Sequence, residues 1–149
     1  MKRKKKKLVQ DKPEDFESRV EEPLAVYGRI NALPVTDSFS YKKFEKIAAL
    51  APFTQKEWGA ILHLSEKTIQ RYARDNSFFE GIYADRILHI SELIDLGKET
   101  FSDTDALYRW LKREKNILGM RLGFDALTST KGIQLLTEEI GRIQHGIFI

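Results

Sequence analysis

The chain of 149 residues contains no cysteine. That removes disulfide frameworks, thiolate zinc sites and cysteine nucleophiles together. Histidine is scarce as well: His63, His89 and His145 are the only three, and no two stand at ligand spacing, so no metal site is expected. Long apolar runs are missing. Charged residues make up 32% of the chain, and its longest apolar stretches are far too short to cross a bilayer, so no membrane partner is expected. The basic N-terminus is followed by no apolar segment of the kind a secretory signal needs. With the lack of cysteine, this gives the expectation of a cytoplasmic protein. A Gly-rich phosphate loop is also lacking, because residues 119–123 have neither the strand–helix context nor the following lysine. The adjacent pairs Glu21-Glu22 and Glu138-Glu139 point to different helix faces and form no acid–base couple. The chain is therefore read as non-enzymatic, with no cofactor.

What is present is enough apolar material for a core, 42% of residues. The net charge of +3 hides an asymmetry. Residues 2–7 are all Lys or Arg, which leaves the rest of the chain at −3. Residues 8–36 hold Lys12, Arg19 and Arg29 against Asp11, Glu14, Asp15, Glu17, Glu21 and Glu22. A basic block followed by an acidic one reads as a charged N-terminal arm over residues 1–36, either a solvated tail or a phosphate-seeking extension. Within it, residues 23–34 are bounded by proline, with Leu24, Val26 and Ile30 compatible with an edge strand or a docked loop.

Beyond residue 37 the spacing predicts a mainly α fold, and period-two alternation is nearly absent. Phe44, Ile47, Ala48 and Ala51 recur at helical spacing before Pro52. Thr54 and Glu57 form a capping-box pair that opens a helix with Trp58, Ile61 and Leu62 inward. Ser65 caps the next one. A longer helix is expected from about 79 to 96, with Ile82, Arg86, Ile87, Ile90 and Ile94 near one face and Gly97 as its stop. Ser102 and Asp105 suggest a cap ahead of Leu107, Trp110 and Leu111. Residues 116–127 are interrupted by Gly119 and Gly123. Thr130 is expected to cap a last helix carrying Ile133, Leu136, Ile140 and Ile143, ended by Gly146. Trp58 and Trp110 read as core or interface anchors.

Residues 55–72, QKEWGAILHLSEKTIQRY, resemble the helix-turn-helix of the Xre/phage-repressor type. Gly59 permits a close crossing, Leu64 faces inward, Ser65 caps, and Ile69 is the buried residue of the second helix. The resemblance implies a recognition helix that offers Lys67, Thr68, Gln70, Arg71 and Arg74 to operator DNA. One position departs from the pattern: His63 stands where the turn usually has glycine. Residues 37–100 hold nine Lys/Arg against ten Asp/Glu, so phosphate binding there requires the cations to cluster or the lysine arm to help.

The C-terminal half carries a second resemblance. Trp110-Leu111, then residues 116–121 (NILGMR), then Phe124-Asp125-Ala126-Leu127, Thr130, Gly132 and residues 143–147 (IQHGI) are similar to the toxin-binding domain of Xre/MbcA/ParS antitoxins. Gly123 replaces that family's proline. The resemblance implies an antitoxin of a type II system. Residues 37–99 would form the DNA-binding domain and residues 100–149 the domain that covers a RES-domain toxin, an NAD-consuming or ADP-ribosylating enzyme. Trp110, Arg121, Ile143, His145, Gly146, Ile147, Phe148 and Ile149 match its toxin-binding positions. A homodimer on a palindromic operator is implied with it. Two other readings stand beside this one: a stand-alone regulator whose C-terminal half only dimerises, and a protein-binding module in which the helix-turn-helix has become a scaffold.

Overall fold

The computed structural model describes residues 39–147. The charged arm and the tail residues Phe148 and Ile149 lie outside the described residues. The fold is mainly helical, and the described residues lie in one compact unit. Strand β1 (Phe39–Ser40) leads into α1 (Tyr41–Ala48), whose first turn is capped by the Ser40 hydroxyl, which accepts from the Lys43 amide. Helices α2 (Gln55–Leu62) and α3 (Glu66–Asp75) follow as a tight pair. Strand β2 (Phe78–Phe79) then returns to pair antiparallel with β1, Phe39 opposite Phe79.

The long helix α4 (Gly81–Phe101) starts two residues later and ends five residues later than the spacing suggested. Gly97 does not stop it. A β-carbon there would lie 2.5 Å from Leu107 Cδ1, so this glycine is where the next helix, α5 (Thr104–Lys112), packs onto α4. Ser102, in the left-handed region at φ 74°, ends the helix instead. Ile87, Ile90 and Ile94 are buried as expected, but Ile82 is 68% exposed on the first turn. The cap of α5 is Asp103 rather than Ser102: its carboxylate accepts from the Ala106 amide at 2.6 Å.

The glycine-interrupted stretch hides a hairpin that alternation did not reveal. Strands β3 (Lys115–Ile117) and β4 (Met120–Leu122) pair antiparallel around Leu118-Gly119, with φ of 52° and 78°. Two positive φ values at the centre of a two-residue loop make a type I′ turn. A 3-10 helix (Phe124–Thr128) leads to α6 (Thr130–Gln144). Here too the cap moves by one residue: the Ser129 hydroxyl, not that of Thr130, accepts from the Gly132 amide at 3.0 Å. Gly132 itself allows α6 to sit on the 3-10 helix, since a β-carbon there would overlap the Ala126 carbonyl oxygen.

One hydrophobic core runs through all of this. Phe44, Trp58, Ile61 and Ile69 belong to it together with Leu107, Leu111, Leu127, Leu136 and Ile140. Helices α4 and α6 run side by side in the same direction, as Arg86 reaches Thr130 at one end and Gln144 reaches Glu99 at the other. The expected boundary at residues 99/100 falls inside α4. Phe53, just ahead of α2, packs edge-on against Phe124 at 5.0 Å between ring centres and also meets Tyr108, so aromatic packing joins the two sides of that boundary.

Candidate nucleic-acid interface

Local rules build the α2–α3 pair. The Thr54 hydroxyl accepts from the Glu57 amide at 3.1 Å, and the Glu57 carboxylate accepts from the Thr54 amide at 2.8 Å, a complete capping box. His63 takes the left-handed conformation that ends α2, at φ 55°. The Leu64 amide then donates to the Gly59 carbonyl oxygen at 2.9 Å. A β-carbon at Gly59 would meet the Leu64 carbonyl oxygen at 2.7 Å, so only glycine admits this turn unshifted. Ser65 caps α3, and Ile69 is buried beneath it.

Of the five side chains expected to face DNA, Lys67, Gln70, Arg71 and Arg74 are exposed along α3. Arg71 lies over the Tyr72 ring, and Arg74 donates to its neighbour Asp75 at 3.1 Å. Thr68 is different. It is half-buried, and its amide and hydroxyl both engage the Ser65 hydroxyl, so it serves the cap.

Charge in this half is segregated. Helices α1 and α3 hold six cations (Lys42, Lys43, Lys46, Lys67, Arg71 and Arg74) against only Glu45, Glu66 and Asp75. Helix α4 carries the opposite balance, with Asp85, Glu92, Asp95 and Glu99 against Arg86 and Lys98. The Lys42 amide donates to the Asn76 side chain at 3.2 Å, and the Tyr41 amide donates to the Ser77 carbonyl at 2.9 Å. The start of α1 is thereby fixed against the end of α3. The near-zero total over residues 37–100 thus conceals a cationic pair of helices.

Both ends of α2 are held by residues from later in the chain, which the sequence reading did not assign. At its start, Glu57 forms an ion pair with Lys112 and accepts from the Tyr108 hydroxyl at 2.8 Å. Burial pushes the Glu57 carboxyl up. The bonds from Lys112, the Thr54 amide and Tyr108 outweigh that and hold it below the ordinary carboxylate range. At its end, the Arg86 guanidinium donates to the carbonyl oxygens of Ile61 at 3.0 Å and Thr128 at 2.7 Å. The one sequence signal was a lone arginine within the apolar stripe of α4.

Of the residues expected to meet a toxin, the described ones do not form one cluster. Trp110 is buried against Phe101, and the Lys115 amine lies 4.0 Å from its ring centre. That amine donates to the Arg113 carbonyl at 2.7 Å. Burial and the Arg113 cation push it down to about 8, with Glu139 opposing. Ile143 packs, half-buried, against the chain's own core. Arg121 is exposed and pairs with Glu114 at 3.4 Å, in a depression shared with Lys131 and Leu135 near the start of α6. His145, Gly146 and Ile147 follow the far end of that helix and are exposed. Fifteen residues of helix put about 20 Å between those two groups. Among the described residues, no group of three or more acidic or histidine side chains is arranged to hold a metal ion. None of the described helices is long and apolar enough to cross a membrane. No family model matches the chain, and no curated protein matches it.

Proposed function

We propose that this chain is an antitoxin that represses its own operon by binding DNA through α3 and neutralises a RES-domain toxin through its C-terminal half. The observation that carries the DNA half of this reading is the polar face of α3. Its exposed Lys67, Gln70 and Arg71 follow a turn tightened by Gly59 and His63, and the end of the same helix is bonded to the start of α1, which carries three lysines. Arginine and glutamine are the side chains that read guanine and adenine through paired hydrogen bonds. A cationic helix pair supplies the phosphate attraction that the total charge lacks. The toxin half rests on the order of motifs from Trp110 to Ile147. It gains support from an exposed apolar residue, Ile147, at the end of the described chain.

Two measurements test the two halves. Binding to duplex DNA from the chain's own upstream region is expected to weaken with salt, and Arg71→Ala is expected to cost about 1–3 kcal/mol and relax base preference. An affinity that does not change with salt overturns the DNA reading. For the toxin half, the adjacent reading frame is expected to encode a RES-domain enzyme, and stoichiometric addition of the protein is expected to stop that enzyme's NAD consumption. Removal of residues 144–149 is expected to release that block without unfolding the chain.

One observation favours a second reading, a stand-alone regulator. Trp110 and Ile143 are engaged by the chain's own core, and the C-terminal half braces α2. Under that reading the RES-domain enzyme is unaffected, and Arg71→Ala abolishes all activity.

A further inference from the structure

The turn between α2 and α3 is fixed by atoms far away in sequence. Arg86 stands on the second turn of α4, half-buried. One of its terminal nitrogens donates to both the Ile61 and Thr128 carbonyl oxygens. The other lies 3.5 Å from the Thr130 hydroxyl. The Ile61 carbonyl belongs to the last turn of α2, where carbonyls lack partners within the helix and the helix dipole favours a cation. The Thr128 carbonyl receives a second donor, Nε2 of His63, at 2.7 Å. The same His63 holds the left-handed backbone that redirects the chain into α3. Arginine suits this place because its planar fork reaches three acceptors in fixed directions, whereas a lysine ammonium is a single point on a flexible stem.

We propose that Arg86 is a positioning residue for DNA recognition: by tying Ile61 to Thr128 and Thr130, it lets the junction of the 3-10 helix and α6 set the placement of α3. The inference rests on the DNA-binding reading above and adds to it a route of regulation. A partner that shifts Thr128 or Thr130 changes the affinity for DNA, and DNA bound at α3 changes the affinity for that partner by the same factor.

The test uses the full chain and its Arg86→Lys variant, with Thr130→Val as a milder change in case the first fails to fold. Anisotropy is read at several salt concentrations on two probes, a duplex enriched from a random pool by the wild-type protein and an unselected duplex. Amide hydrogen exchange is followed in parallel. Arg86→Lys is expected to lose about tenfold in affinity for the enriched duplex, the loss of roughly one charge-assisted bond. Its affinity for unselected DNA and its salt slope should stay unchanged, because no phosphate contact is removed. Amides of residues 63–68 should exchange faster, while those of α6 keep their protection. Thr130→Val should move both readouts in the same direction by less.

Equal losses on both duplexes, or a discrimination unchanged within about twofold, overturn the proposal. Failure of the wild-type chain to bind any duplex sinks the DNA reading instead. The exchange pattern then decides on Arg86 by itself: acceleration confined to the turn supports its positioning role, and an unaltered turn refutes it.

Discussion

Nε2 of His63 and the carbonyl oxygen of Thr128 lie 2.7 Å apart across 65 residues of sequence. The pair explains how a histidine occupies a turn position that suits glycine. A non-glycine residue in the left-handed region costs about 1–2 kcal/mol, and a net hydrogen bond returns about 0.5–1.5 kcal/mol. His63→Gly removes both terms and is expected to leave stability near that of the wild type. His63→Ala keeps the backbone cost and loses the bond, so it is expected to lower stability by about 1 kcal/mol. Urea unfolding of the two variants measures the order. An alanine variant as stable as the glycine one would show that the turn stores no such cost.

Two glycines should respond in opposite directions. Gly59→Ala drives a β-carbon to within 2.7 Å of a backbone oxygen, and the expected loss is about 1–3 kcal/mol. At Gly141, within α6, a β-carbon would meet nothing within 4 Å. Alanine there is expected to gain about 1 kcal/mol from helix propensity alone. Thermal melts of the two single variants check both signs.

Leu118 occupies the first central position of the β3–β4 turn at φ 52° and is 64% exposed. Asparagine accepts that backbone far more readily, and leucine has no burial there to compensate. Leu118→Asn is therefore expected to stabilise the protein by about 0.5–1 kcal/mol, seen as a higher urea midpoint with an unchanged slope.

Stability should vary with pH at both ends of the scale, for opposite reasons. The folded Glu57 carboxyl titrates below its unfolded value. The stability it contributes is thus present above the unfolded pKa, about 4.3, and is lost as pH falls through the lower folded value. Glu57→Gln should flatten that acid limb. The Lys115 amine is lowered from 10.5 to about 8, so the folded state disfavours its charged form. In the window between those two values the unfolded chain binds more protons, and stability should rise with pH there. Lys115→Met should remove that rise, and chemical denaturation at stepped pH reads both limbs.

Local chemistry was legible in the sequence at several places where a rule spans only a few residues. The Thr54–Glu57 box, the Ser65 cap, the inward Ile69 and the small residue at Gly59 all follow from such rules, and all are present. Contacts between distant segments escaped. Gly97 carries a stop signal, yet α4 continues past it, and the glycine instead leaves room for Leu107, which fills the space that a β-carbon would take. The hairpin escaped because three-residue strands are too short to show alternation and its turn holds Leu118-Gly119 rather than the usual asparagine–glycine pair. Caps were misplaced by one residue wherever two hydroxyl or carboxylate side chains adjoin, at Ser102-Asp103 and at Ser129-Thr130. The neighbours of α2 were invisible for the same reason as the Leu107 contact: Tyr108, Lys112 and Thr128 come from elements more than forty residues downstream.

That bracing of α2 bears on how the sequence of such a chain can change. A hybrid that joined the first hundred residues to a foreign second half would leave the Glu57 carboxylate without its lysine and tyrosine donors. Arg86 and His63 would in turn have no oxygen to share. The two halves cannot be traded as cassettes unless Tyr108, Lys112 and the Thr128 carbonyl travel with the swap. Point changes on the outward side of α3 disturb none of these bonds, so diversification by substitution is the open route.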